Sequence, residues 1–303
     1  MFLNLHRPME AISSQSPALT LIECPRDALQ GIKTIVPTEL KINYLQHLLQ
    51  VNFPVLDCGS FVSPKAIPQM ADTAQVLSAL DRSQSRTKFL VIVANRRGAV
   101  EACKHPMVDQ LGYPFSISEN FQMRNTHKSI AASEVLLQEI IQMASTAGKE
   151  LVVYLSMGFG NPYGDPWSSD LVLQWMERMA DWGVRCVSLS DTIGQATPTL
   201  IQELLGAVYA QELPLEIGVH LHTHPQESYA KIDAAYKAGC RRMDGALLGY
   251  GGCPMAHDQL VGNMPTEHIL SYCNQNQIDH SLKSLALETA INKARAIFDT
   301  YGV

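Results

Sequence analysis

The chain has 303 residues, 46% apolar and 17% charged, with 23 basic against 29 acidic side chains. That composition suits one globular barrel of about 250 residues with short additions, and it excludes disorder, collagen-like repeats and coiled coil. A formal charge of −6 leaves no basic surplus to neutralise phosphates, so no nucleic-acid partner is expected.

In chain order, residues 1–17 have no apolar signal core and only Arg7 as a strong base, a poor transit peptide. A first β-rich run at 19–24 leads into Glu23-Cys-Pro-Arg-Asp27. A carboxylate there can complete a metal shell, and the adjacent guanidinium can hold a substrate oxyanion. An isolated Arg-Asp pair in a βα loop is more often a surface ion pair. A second run at 54–56 precedes Asp57 and Ser60, and a third at 89–94 precedes Asn95, Arg96 and Arg97. A weaker run at 111–116 is interrupted by Pro114. Leu136, Leu137, Ile140, Ile141 and Ala144 then mark one face of a helix.

The run at 151–155 is followed by Gly158-Phe-Gly160-Asn-Pro-Tyr-Gly164. That is one residue off the dinucleotide spacing, with proline where a helix should open. The run at 186–189 precedes Asp191 and Thr192; Thr197 as N-cap and Pro198 then start a helix through Leu200, Leu204, Leu205 and Val208. The run at 217–222 ends in His220-Leu-His222. Alternate strand residues share a face, so both imidazoles can reach one cation, although ten histidines make a chance pair equally plausible. Tyr229, Ile232 and Tyr236 give a further helical face closed by Gly239.

A last run at 243–247 precedes Gly249-Tyr-Gly-Gly-Cys253-Pro, a glycine-hinged loop with a thiol at its tip. A catalytic acid on a lid has this form, and so does a plain turn. Asn263 offers an amide oxygen to a hard cation, and Glu267 can orient such a shell. The remaining 30 or so residues are helical by pattern.

Seven or eight β-α units allow a doubly wound sheet or an eightfold barrel. No glycine-rich turn follows the first strand and no GxxxxGK sequence occurs, which favours an α/β fold of the (β/α)8 TIM-barrel type. The expected organisation is a single catalytic domain over 1–303, with the barrel at about 19–270 and a helical extension at about 271–303. In such a barrel chemistry sits at the C-terminal strand ends, where polar residues recur here at nearly every strand. The seven cysteines form no Cys-x-x-Cys pair, so reduced thiols and a cytoplasmic setting are expected. No run approaches the roughly 18 apolar residues of a membrane span, and no nucleotide or flavin cofactor is indicated.

Five motifs in fixed order then carry a resemblance. They are Glu23-Cys-Pro-Arg-Asp27-Ala-Leu-Gln30; Ser60-Phe-Val-Ser-Pro-Lys65 with Pro68-Gln-Met70; Ser190-Asp-Thr-Ile-Gly194 with Thr197-Pro198; His220-Leu-His222; and Gly251-Gly-Cys-Pro254 with Gly262-Asn263. Together they resemble the 3-hydroxy-3-methylglutaryl-CoA lyase family of metal-dependent TIM-barrel lyases and synthases. The resemblance implies cleavage of that thioester to acetoacetate and acetyl-CoA, the chemistry of leucine degradation and ketone bodies. It implies metal ligation by Asp27, His220, His222 and Asn263, with Mg²⁺ or Mn²⁺ and with Zn²⁺ tolerated. It implies catalytic roles for Arg26, Asp27, His220, Cys253, Asp191 and Glu267, and substrate or CoA contacts at Asp57, Ser60, Asn95 and Thr192. It also implies an acyl-CoA partner and a homodimer. The chain departs from the family's usual pattern at Ala28, at Asp57, at Thr223-His224-Pro225-Gln226 and in a longer loop before Asn263. These departures leave the acyl group open. A condensing synthase of the same superfamily and a silent acyl-CoA-binding paralogue are the alternatives.

Overall fold

Strands buried on both faces read as nearly continuous apolar runs, and eight of them form the framework here. The structure is a computed structural model and describes residues 18–252 and 261–302. The strands are β1 (Thr20–Glu23), β2 (Val55–Ser60), β3 (Lys88–Ile92), β4 (Gln110–Ser116), β5 (Glu150–Ser156), β6 (Cys186–Asp191), β7 (Glu216–Leu221) and β8 (Arg242–Gly245). All are parallel, each pairs with the next in sequence, and β8 pairs back onto β1 to close the barrel.

The helices alternate with them. They are α1 (Pro25–Gln30), α2 (Thr38–Val51), α3 (Thr73–Ala79), α4 (Arg96–Lys104), α5 (Glu119–Thr126), α6 (Ile130–Thr146), α7 (Ser169–Asp181), α8 (Pro198–Tyr209), α9 (Ser228–Lys237), α10 (Thr266–Gln275) and α11 (Ser284–Tyr301). Thr197 caps α8 as its sequence predicts, accepting from Leu200 N at 3.2 Å, with Pro198 at the first helical position. The apolar face read at 136–144 is the inner face of α6. Tyr229 departs from expectation: it is 44% exposed and packs edge-on against Tyr272 of α10 rather than entering the core. Among the described residues, no helix is long and apolar enough to cross a membrane.

The period-2 alternation of the strands splits the core in two. One set of side chains, including Leu21, Leu56, Phe89, Leu111, Val153 and Leu189, packs outward against the helices. A separate cluster of Ile22, Val55, Leu90, Ile92, Val152, Tyr154 and Cys186 fills the barrel interior. The interior row of β7 and β8 is polar instead: Gly218 and His220 alternate on one, Arg242 and Asp244 on the other. Gly218 makes room for the Arg242 stem, since a Cβ there would stand 2.9 Å from Arg242 Cδ.

β4 is a full strand despite Pro114. Its bonding to β3 ends where Val93 N donates to Gly112 O at 2.9 Å. Pro114 lies two residues on and faces the same way, where β3 has already left the sheet, so its missing N–H costs no ladder bond.

Glu23 ends β1, is fully buried, and binds across the barrel seam. Leu247 N donates to its Oε1 at 2.8 Å and the Thr266 hydroxyl to its Oε2 at 2.5 Å. Burial raises its pKa from 4.5 to about 8 despite these two bonds, and nearby Glu267 adds to the rise. A carboxyl raised in the folded state gives stability that is present below pH 4.5 and is lost as pH rises through about 8. The melting temperature is therefore expected to fall between pH 5 and 8 more steeply in the wild type than in Glu23→Gln. Thermal denaturation across that window checks this, and equal slopes would assign the pH dependence to other groups.

Candidate active site at the C-terminal mouth of the barrel

Pro25 at the first position of α1 turns the chain just past β1, so that Arg26 and Asp27 stand at the barrel mouth. Both are buried, at 8% and 7% exposure, so the surface ion-pair reading does not hold. Arg26 is gripped from both sides. Its Nε donates to Asp57 Oδ1 and Oδ2 at 3.1 and 3.0 Å and its Nη2 to Oδ2, while Nη1 donates to Asp27 Oδ1 and Gln30 Oε1 at 2.8 Å each. These bonds leave one Nη2–H uncommitted. Burial raises the Asp57 carboxyl against the pull of Arg26.

Asp27 also accepts from Gln30 Nε2 at 2.9 Å and, on its other oxygen, from Asn263 Nδ2 at 2.8 Å. Burial opposes its charge, but Arg26, the two imidazoles and the Asn263 bond outweigh that and hold it at about 2. Asn263 arrives through an isolated antiparallel bridge with His222, and its Nδ2 also donates to Tyr250 O at 2.9 Å.

His220 lies on β7 and His222 one residue past its end, on the same face, with ring centroids 5.2 Å apart. Their supports differ. His222 Nδ1 lies 3.0 Å from Thr192 O, and a carbonyl only accepts, so Nδ1 carries the proton and Nε2 holds the lone pair. That Nε2 is buried and has no partner among the described residues. His220 Nδ1 instead faces the carboxylate of Asp244 Oδ2 at 3.1 Å. Burial depresses both imidazoles, and the charge on His220 pushes His222 further, to about 4. The bond and charge of Asp244 more than reverse burial at His220 and raise it.

Asp27, His220 and His222 each place one ligand atom within 4.8 Å of the others. An orphaned imidazole nitrogen facing an ionised carboxylate and a second imidazole fits a divalent cation. Asn263 reaches this group through its Nδ2, and a half-turn that offered Oδ1 beside Asp27 would exchange its bonds to Asp27 and Tyr250 O for a cation contact.

The other candidates fall around this group. Asp191, at the end of β6, accepts from Gln195 N and Ala196 N at 3.0 Å each, and burial raises its pKa. Thr192 supplies the carbonyl that holds His222, and its hydroxyl accepts from Met157 N at 3.0 Å. Ser60 closes β2, with its hydroxyl 3.3 Å from Ile92 O. Asn95 caps α4, accepting from Gly98 N at 2.9 Å. Glu267 accepts Leu248 N on both oxygens at 3.0 and 3.1 Å, so it holds the segment after β8 rather than Asn263 directly. Cys253 lies outside the described residues. The glycines before it are seated tightly: a Cβ on Gly251 would stand 2.7 Å from Asn263 Nδ2 and 2.8 Å from Asp27 O.

Four further residues belong to the site and were not singled out from sequence. Asp244 and Gln30 support His220 and Arg26. Lys231, 1% exposed, donates to His222 O and Gly194 O at 3.1 and 3.0 Å and lies 3.7 Å from Asp191. Phe298 of α11 stacks on Tyr250 with centroids 3.8 Å apart. Alternation along β8 places Asp244 inside the barrel and is the one sequence signal that marks any of these.

Comparison with known proteins agrees with this geometry. The chain is 33% identical over 269 residues to the mitochondrial hydroxymethylglutaryl-CoA lyase of Bos taurus, covering 88% of this chain and 79% of that one. It is 31% identical to the hydroxymethylglutaryl-CoA lyase of Bacillus subtilis, over 92% and 91% of the two chains. The crystal structure of the Bacillus subtilis HMG-CoA lyase superposes with a TM-score of 0.86 at 29% identity, covering 94% of this chain and 95% of that one. An HMG-CoA lyase from Acinetobacter baumannii, in complex with coenzyme A and 3-methylmalate, superposes with a TM-score of 0.85 at 28% identity, over 97% and 93%. The family model described as HMGL-like matches residues 20–293, and the chain belongs to that family.

Proposed function

We propose that this protein is a carbon–carbon lyase that cleaves 3-hydroxy-3-methylglutaryl-CoA to acetoacetate and acetyl-CoA, with Mg²⁺ or Mn²⁺ as its cation. The observation that carries the reading is the juxtaposition of Arg26, locked between Asp57 and Asp27, with the buried Nε2 of His222, which has no partner among the described residues. The relatives named above as lyases, and the neighbour holding coenzyme A, support it.

The cleavage breaks a C–C bond, moves the tertiary alcohol's proton off oxygen, and delivers a proton to the departing enolate carbon. A divalent cation on Asp27, His220, His222 and Asn263 would acidify that alcohol. Asp27 remains ionised at working pH, because its pKa lies near 2. Arg26 stays charged, and its free Nη2–H is directed by two carboxylates to stabilise the enolate oxygen of the thioester. Cys253, carried from Gly251 and Gly252, protonates the enolate carbon. Asp191 and Glu267 act by position, through the backbone of the 191–196 turn and through Leu248 N. Ser60, Asn95 and Thr192 line the acyl-CoA approach. The free thiols of the described cysteines suit a cytoplasmic setting, and a homodimer is the proposed assembly.

The direct test incubates metal-free protein with the thioester, with and without Mg²⁺ or Mn²⁺, and quantifies both products. Cleavage should require the cation and stop on chelation; no cleavage with any divalent ion sinks the reading. Arg26→Lys should lower kcat by about 10²–10³-fold while KM changes far less, because a point charge replaces a fixed planar fork. An unchanged kcat with weakened KM would make Arg26 a binding group only. Cys253→Ser should retain the fold and cation binding and lose about 10²-fold or more in kcat. Full activity would move the acid role elsewhere. Asp244→Asn should weaken Mn²⁺ affinity by about 10–100-fold, the usual effect of removing the carboxylate behind a ligating histidine. Competition with a chromophoric chelator reads that affinity independently of catalysis.

A further inference from the structure

His220 belongs to two clusters. Asp27 and His222 form the first with it; Cys24 and Asp244 form the second, in which each residue again places one ligand atom within 4.8 Å of the others, all three residues buried. The second cluster lies on the Asp244 side of the imidazole. Asp244 Oδ2 is 3.1 Å from His220 Nδ1, and its Oδ1 has no hydrogen-bond partner among the described residues. The Tyr154 ring meets the His220 ring edge-on, centroids 5.7 Å apart, and its buried hydroxyl also has no partner among the described residues. The Cys24 thiol makes one weak contact, to Ile22 O at 3.9 Å. A soft sulfur, an imidazole nitrogen and a half-used carboxylate thus converge at a point whose polar groups the fold leaves incompletely satisfied.

We propose that Cys24, His220 and Asp244 form a second cation site, selective for thiophilic divalent ions, whose occupation disables the first by taking its imidazole. Thiolate favours Zn²⁺ or Cd²⁺ over Mg²⁺ and Mn²⁺, which prefer oxygen. A neutral imidazole has a single lone pair. A cation on Nδ1 forces the ring proton onto Nε2, which then cannot serve the Asp27–His222 side. The thiol proton leaves to solvent as the S–metal bond forms, and the Nδ1 proton of His220 moves to Nε2 from the neutral ring or to solvent from the charged one, so one or two protons are released per ion bound. The two ions therefore exclude one another through one shared side chain. Cys24 supplies no ligand atom to the Asp27–His220–His222 cluster, so its removal should spare basal activity.

The test titrates metal-free protein with Cd²⁺ and follows the ultraviolet sulfur-to-cadmium charge-transfer band, in wild type, Cys24→Ser, Cys24→Ala and Cys253→Ser. The band should appear in wild type and Cys253→Ser and be lost in both Cys24 variants. Bound Cd²⁺ should weaken Mn²⁺ affinity by about 10-fold or more in wild type and have little effect in the Cys24 variants. Persistence of the band in both Cys24 variants would overturn the proposal. So would equal displacement of Mn²⁺ by Cd²⁺ in every variant, which would place Cd²⁺ in the Asp27–His222 site alone. Both readouts are binding measurements, so they stand apart from failure of the lyase reading.

Discussion

The carboxylate of Asp27 accepts hydrogen bonds from Arg26, Gln30 and Asn263, residues brought together from α1 and from the segment beyond β8. An ionised carboxylate at this depth is tolerated only with such company. Two of these partners are in turn fixed by something else: Arg26 by Asp57 of β2, Asn263 by Tyr250 O and by its bridge to His222. Taking away one member of such a buried pair typically costs about 3–5 kcal/mol, because the remaining charge is left stranded. The mouth of the barrel is therefore one electrostatic unit, and the closure of β8 on β1 is what brings its two ends together.

Within that unit the two imidazoles are built to differ. A carbonyl behind His222 fixes its tautomer and adds no charge, whereas a carboxylate behind His220 also makes the ring a stronger base. Burial and mutual repulsion then act on the weaker of the two, and His222 falls to about 4 while His220 rises. At neutral pH this guarantees at least one lone pair pointing at Asp27. It also makes His220 the ring most sensitive to anything that touches Asp244, which is why the Cys24 cluster matters to the site above it.

How much of this was legible in the sequence follows the range of each interaction. Strand runs and the shared face of His220 and His222 are local periodicities, and they were readable even where Pro114 weakened the signal. The burial of Arg26 was not, since it depends on Asp57, 31 residues away across a strand pair. Alternation along the short strand Arg242–Gly245 turns Asp244 inward, but nothing local names its partner, which is 24 residues away on β7. Tyr229 read as core because helical spacing alone cannot tell an inner face from one covered only by a neighbouring helix.

The C-terminal helix shows the same limit with a functional consequence. Its sequence carries no motif, yet Phe298 stacks on Tyr250, whose carbonyl holds Asn263. Leu247 N is bound by Glu23 and Leu248 N by Glu267. Leu248 takes a left-handed φ of 63°, a conformation that costs a bulky residue about 1–3 kcal/mol and that charge-assisted bonds to Glu267 offset. Gly251 then packs against Asp27 O and the Asn263 amide. The segment from β8 to Gly251 is thus a clamped stem. The clamp is set by contacts to Glu23, Glu267, Asp27 and Asn263. The extension outside the barrel acts on chemistry inside it by deciding where that stem stands.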